Sequence, residues 1–355
     1  MHTNPKAVTA KPLSITFAGD PRNMNEAISR AERALSVVAE SARGHGALAT
    51  ALAATGRNSK ARVSFERAIQ LDPNDAAAMG NFSLLEVQLA HLEESLRLAR
   101  QSLERNPNSS PAYSHVAMTL ELLGTEAQFR QWAEFWLERG PRSLRQFTTY
   151  EAVAGLREGR TQKVLSDARA MSEKYRGAIE LEALVTDLSM ITGEPDAEAQ
   201  LLRFATGNLD PAYMNFMILP KSLRVRLAWF HQKRGDRAGA AKLLTEAEGI
   251  AMGHWRDGLE APSLPVELAA IHAMKGDAGE SAAWMRRAYD LGWREPIQDK
   301  VDPMLAGAGN DPRFQAVVKM IKDDLERQRR ESRELKLLFE QTVPALPPPR
   351  AAAKN

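Results

Sequence analysis

A chain of 355 residues with 26% charged and 6% aromatic residues, a formal net charge of +2 and no cysteine is long enough for two compact domains or one extended array. The missing cysteine excludes disulfides, thiolate-held metal and thiol nucleophiles, and interleaved charges of both signs give no global attraction to nucleic acid. No uncharged apolar run reaches the roughly 18 residues needed to span a bilayer, and the start, Met1-His2-Thr3-Asn4-Pro5-Lys6, leads into no signal-like stretch. A soluble, cytoplasmic protein without membrane contact is expected.

Residues 1–22 read as a flexible lead-in, because Pro5, Pro12 and Pro21 oppose a helix there. From Asn23 to about Glu40 a helix is predicted. The body of the chain then shows a period. Pro73, Pro107 and Pro141 stand 34 residues apart, each behind an amphipathic stretch, where proline stops one helix and opens the next turn. Gly56, Ala90 and Gly124 keep the same interval and mark short turns inside helical hairpins, where a left-handed residue ends a helix. Ala49, Ser83 and Ala117 repeat on the first helix of each unit, and Ala68 and Ser102 on the second. Helix axes approach to about 8–10 Å only across such small side chains.

These residues resemble the tetratricopeptide repeat. The pattern is fullest in residues 42–75, with Ala49, Gly56, Ala61, Phe65, Ala68 and Pro73. Residues 76–109 and 110–143 depart from it: Ala99 replaces the aromatic, and Phe129 and Trp136 stand where alanine is usual. Ala27, Ala31 and Ala34 fall in register and suggest the second helix of a degenerate leading repeat. The resemblance implies an all-α, right-handed superhelical solenoid of about seven hairpins over 23–300, closed by a capping helix and charged extension over 301–340. Its concave wall is made of first helices.

Downstream, Gly159 and Gly193 continue the turns, and two later units restore the pattern with Ala228, Gly235, Ala240 and Ala247, then Ala269, Gly276 and Ala288. Extra residues near 206–220 and 248–263 are expected to enlarge loops on one face. The run Tyr213-Met214-Asn215-Phe216-Met217-Ile218-Leu219-Pro220 is either an adaptable exposed surface or, as such runs more often are, buried against the next helix. Trp229 follows it.

Asp311-Pro312-Arg313-Phe314 begins a helix, with Asp311 as cap and proline in the first turn. The segment is similar to the endings of repeat arrays in bacterial signalling proteins, often fused to a cyclase, kinase or winged-helix output domain. Such an output domain is not expected here. Lys322 to Lys336 reads as a continuation of that helix with opposite charges at i,i+4 spacing. Ile321, Leu325, Leu335 and Leu338 keep no heptad, so a coiled coil is not expected. The tail of residues 341–355, proline-rich from Pro344, is expected to be disordered.

No nucleophile elbow, phosphate loop or paired-histidine motif occurs, so no enzyme, cofactor or metal is expected. His231 and His272 hold the same place in two repeats, four residues before the turn glycine. They read as helix-end imidazoles near the negative end of the dipole, or alternatively as a ligand-facing pair.

The family's groove positions fall on Arg43, Gly46 and Thr50, then Gly80, Asn81, Leu84, Val87 and Gln88, then Ser114, Met118 and Glu121, with Trp229 on a later unit. This mostly small and apolar wall would hold a peptide or partner protein. Of the Lys, Asn and Arg set with which chaperone-binding members grip a C-terminal carboxylate, only Asn81 is matched, while Gly46, Thr50, Pro111 and His115 occupy other such places. The rival reading is a nucleic-acid-binding repeat protein using Arg224, Arg226, Lys233, Arg234, Arg237, Arg327, Arg329 and Arg330.

Overall fold

The computed structural model describes residues 21–139, 152–207, 219, 221–295 and 302–342. Every regular element among them is helical. After α1 (Pro21–Val37) come seven hairpins: α2 (Ala42–Ala54) with α3 (Asn58–Leu71), α4 (Ala76–Gln88) with α5 (Leu92–Arg105), and α6 (Ser110–Leu123) with α7 (Glu126–Arg139). They continue as α8 (Ala152–Arg157) with α9 (Thr161–Lys174), α10 (Ile179–Thr192) with α11 (Ala197–Gly207), α12 (Leu223–Lys233) with α13 (Arg237–Arg256), and α14 (Ser263–Met274) with α15 (Ala278–Asp290). A turn-rich stretch, residues 302–310, leads to α16 (Pro312–Glu331), the short α17 (Arg333–Leu337) and a single wide turn, Leu338–Thr342. Pro21 opens α1 rather than opposing it, because at a first helical position the missing N–H has no partner to lose.

The loops between hairpins are built alike. At Asp72-Pro73 the carboxylate accepts from the Asn74 N–H (3.0 Å), and Asp75 caps α4 through the N–H groups of Ala77 and Ala78. One repeat later Asn106 accepts from the Asn108 N–H (3.2 Å), and Ser109 caps α6 through Ala112. Pro73 and Pro107 therefore sit in like surroundings; Pro141 lies outside the described residues. The turns inside the hairpins also recur. Gly56, Gly159, Gly193, Gly235 and Gly276 have φ between 66° and 82°, and Ala90 takes 60°. The residue after each donates its N–H five residues back, as in Arg57 to Leu52, His91 to Glu86 and Asp236 to His231, each 2.9 Å. That bond satisfies a carbonyl the helix end leaves open. Gly124 departs from the expectation: its φ is −75°, so this turn uses an extended residue.

Neighbouring hairpins nest as the small-residue series predicts. Ala49, Ser83 and Ala117 are fully buried, as are Ala68 and Ser102. Ser83 and Ser95 donate to each other's carbonyl across the second hairpin, both at 3.0 Å, so hydroxyls in alanine positions are not left unpaired. In the third hairpin Phe129, Trp132 and Trp136 are fully buried instead; the Trp132 and Trp136 rings pack against Tyr113, with Trp132 Nε1 donating to the Tyr113 carbonyl (3.2 Å). First helices pack on first helices (α2 on α4, α4 on α6, α12 on α14) while second helices hand over to the next hairpin. The first helices thus form the inner wall of an all-α solenoid.

One expectation about length is corrected. The extra residues near 248–263 go mostly into helix: α13 runs on to Arg256 in spite of Gly249 and Gly253, leaving a short loop at 257–262. The insertion near 206–220 lies largely outside the described residues, along with most of the Met-rich run, of which Leu219 is fully buried.

Candidate functional site

The ten groove candidates divide by burial. Thr50, Leu84, Val87, Ser114 and Trp229 are buried, Asn81, Gln88, Met118 and Glu121 keep partial exposure, and Arg43 is exposed. Asn81 Nδ2 reaches Thr50 Oγ1 at 3.4 Å, which joins the first two repeats along the wall. Trp229 lies edge-on to Phe230 and carries the Lys233 ammonium 4.6 Å above its ring. The apolar positions that were to hold a ligand are therefore covered by the chain itself, and what stays accessible is mainly polar.

The C-terminal half docks on the turns of the first three hairpins in order. At the first turn the Glu260 N–H donates to the Gly56 carbonyl (2.8 Å), and Leu259 lies where a side chain on Gly56 would go. The Glu260 carboxylate accepts from the Ser59 N–H (2.6 Å) and Ser59 hydroxyl (2.9 Å), and Asn58 Nδ2 donates to its carbonyl. A carboxylate thus caps α3 from 200 residues away, where its own Arg57 offers no side-chain cap. At the second turn Gly292, with φ 105°, lies so close to the Leu89 backbone that a Cβ would be 2.6 Å from its carbonyl carbon. At the third, Arg329 donates to the carbonyls of Leu123 (2.7 Å) and Gly124 (3.2 Å) that end α6.

Sequence reasoning missed a charged feature of the inner wall. Asp187 stands six residues before Gly193, the place that Thr50, Leu84, Met118 and Trp229 hold before their own turns. Both it and Arg226 are fully buried, paired at 2.6 Å. Together they hold the backbone of Leu219, whose N–H reaches Asp187 Oδ2 (2.9 Å) and whose carbonyl accepts from Arg226. Beside them Lys221 and Asp302, also fully buried, pair at 2.9 Å, and the Ser222 N–H donates to Glu267 (3.3 Å). Carrying the register into the fifth hairpin would have found Asp187, a charge where other repeats place neutral side chains. Its partners follow from the fold alone. Buried charges are costly unless paired and hydrogen-bonded; Asp187 and Arg226 are both, whereas Lys221 and Asp302 face each other as an ion pair without hydrogen-bond geometry.

His231 and His272 do not come together as a pair. Each meets a carboxylate near its helix end: His231 Nδ1 lies 2.6 Å from Asp236, and His272 Nε2 lies 3.3 Å from Glu248. Hydrogen bonds from the Gly239 N–H, then from His231, hold the Asp236 carboxyl below its ordinary range. No group of three or more His, Asp or Glu among the described residues could hold a metal ion, and no helix among them is long and apolar enough to cross a membrane.

No family model matches the sequence, and no curated protein matches it. A search of solved structures finds similarity to the crystal structure of the P58(IPK) TPR domain, at 13% identity over 90% of this chain and 92% of that one, with a TM-score of 0.27. A superposition that loose carries no detail, so the assignment rests on the recurrent turns, nested small residues and packed first helices described above. By these the chain is an all-α array of repeated helical hairpins, similar to the tetratricopeptide repeat.

Proposed function

We propose that the chain is an interaction scaffold that holds a peptide or partner protein against the inner wall of its repeats. The observation that carries this reading is the wall itself: first helices of successive hairpins packed side by side, presenting equivalent positions at a fixed interval. Of the groove candidates, Arg43, Asn81, Gln88, Met118 and Glu121 remain accessible. The partner's contacts are accordingly polar with one adaptable apolar point, not the mainly apolar contacts that the sequence suggested. In this reading the partner is a bacterial regulatory or assembly protein, which the similarity of the Asp311–Phe314 segment to bacterial signalling arrays supports, and the scaffold works in the cytoplasm.

The nucleic-acid reading is weakened by the same geometry. Arg226 is buried against Asp187, Arg224 faces Glu246 (3.5 Å), Arg234 pairs with Glu198 (2.6 Å), Arg327 with Asp324 and Glu331, and Arg329 with carbonyls of α6. These five of the eight basic side chains thus have acceptors within the chain itself, which leaves less uncompensated charge for a phosphate backbone.

A pull-down with the intact protein and with Asn81→Ala/Gln88→Ala/Met118→Glu, whose fold is verified by circular dichroism, tests the site. Loss of the same prey from the folded variant supports the inner wall, and an unchanged prey set refutes it. A salt titration with duplex DNA and single-stranded RNA should show no saturable binding. A steep salt slope would instead favour phosphate recognition.

A further inference from the structure

The helix that begins at Asp311 does not end where its own sequence would end it. Between Arg313 and Val343 there is neither glycine nor proline, and the charge spacing predicts one straight helix through Lys336. Yet α16 stops at Glu331, Ser332 leaves the helical region (φ −66°, ψ 116°), and α17 sets off in a new direction. The bend is imposed from outside. Glu93 on α5 accepts from the N–H groups of Arg333 (3.2 Å) and Glu334 (3.1 Å) and from the Ser332 hydroxyl, while Arg100, about two turns further along the same face of α5, takes Glu334 at 2.9 Å. Ser332 is at once the last residue of one helix and the cap of the next, its Oγ accepting from the Leu335 N–H (3.0 Å).

Two conformations of this segment satisfy the same polar groups. In a straight helix the N–H groups of Arg333 and Glu334 would bond to the carbonyls four residues back, and Glu334 would lie at i,i+4 from Arg330. In the bent form Glu93 accepts from those N–H groups and Arg100 replaces Arg330. What separates the states is apolar: Leu335 and Leu338 are buried in the bent form, in the cluster that holds Leu96, Ala99 and Leu103 of α5, and a straight helix would carry them into solvent.

We propose that residues 332–338 are a hook that switches between this docked, bent state and an extension of α16, and that docking closes the array by clasping the second hairpin. The switch stands without the inner-wall reading, since it concerns only the chain's own two states. Docking covers the α5 face around Arg100. Undocking exposes that face and offers Leu335 and Leu338 as a new apolar ridge.

Hydrogen exchange on the full chain is the first test. Residues 333–338 should exchange at least about tenfold faster than α14, through an opening that leaves the array folded. Glu93→Ala and Ser332→Ala should each raise that local rate a further ~10-fold without changing α14. Because the chain has no native cysteine, spin labels at Glu104→Cys and Lys336→Cys report the two states directly. The unaltered background should give a short distance, and Glu93→Ala a second, longer one. Arg100→Glu should lengthen it, and adding Glu334→Arg should restore it. The far-ultraviolet helix signal must hold or rise in Ser332→Ala, since straightening adds helix. Three results would each overturn the switch: exchange of the hook only as slow as α14, an unchanged label distance in Glu93→Ala, or a loss of helix signal showing that the segment merely frays.

Discussion

Gly235 separates backbone strain from packing. Its φ is 82°, and a Cβ built there meets nothing within 4 Å. Gly235→Ala should therefore cost about 1–2 kcal/mol from the left-handed conformation alone. Ala90 already bears that strain at φ 60°, so Ala90→Gly should gain up to about 1 kcal/mol, less what glycine adds to the freedom of the unfolded chain. Urea unfolding of the two variants checks both, and a neutral Gly235→Ala would mean that the turn relaxes out of the left-handed region. Asp311 supplies a pH test. The Arg313 side chain, then its N–H, hold the Asp311 carboxyl down at about 2. A carboxyl depressed in the folded state contributes stability above its unfolded value near 4 and loses it as pH falls toward about 2. In that window the unaltered protein should lose more stability than Asp311→Asn, which keeps a capping oxygen but does not titrate. Parallel acid-unfolding profiles would refute the assignment.

At the scale of elements, α7 shows how a departure from the family pattern is absorbed. Trp136 occupies the position of Ala68 and Ser102, and it is fully buried with its ring centroid 6.0 Å from that of Tyr113. Trp136→Ala would restore the family residue and still should destabilise by about 3–5 kcal/mol, because the neighbours are shaped around the indole. Thermal unfolding decides it; a neutral result would mean that α6 and α7 close up as the first two hairpins do. At the far end of the chain Asp324 shows a carboxylate recruited to join elements. Burial pushes its carboxyl up, but hydrogen bonds from Arg294, Arg327 and Gln328 outweigh this and leave it below the ordinary range. It links the loop after α15 to α16, and Arg294 also lies 3.8 Å over the Tyr289 ring.

For the whole molecule the governing fact is closure. Three turns spaced along the first half meet Glu260, Gly292 and Arg329 from the second. Gly292→Ala should break the middle contact, since a methyl has no room beside the Leu89 backbone. Small-angle scattering should then show a larger radius of gyration with helix content unchanged, and an unchanged radius would mean that the docking is looser than described. The buried Asp187–Arg226 pair makes the complementary case. Asp187→Ala strands a guanidinium inside the wall and should cost about 3–5 kcal/mol, measurable as a drop in the denaturant midpoint. A small effect would show that water reaches the site.

The repeat was legible in the sequence because its causes are local. A left-handed turn needs glycine, a nested helix pair needs small residues, and a loop between hairpins takes proline, so spacing alone revealed Gly56, Ala49 and Pro73. Even here spacing found Gly124 but not its extended conformation, and it marked Phe129 and Trp136 as departures without showing that Tyr113 would pack against Trp136. The groove candidates were located in register, but the sequence could not show that Leu84 and Val87 would be covered. Burial of an inner wall depends on how far the whole array curls, which accumulates from small rotations at every hairpin interface and appears in no single residue. The cap on α3, the break at Ser332 and the Asp187–Arg226 pair were decided the same way. Glu260, Glu93 and Arg226 act on residues between 39 and about 240 positions away, and only the closed fold brings them there.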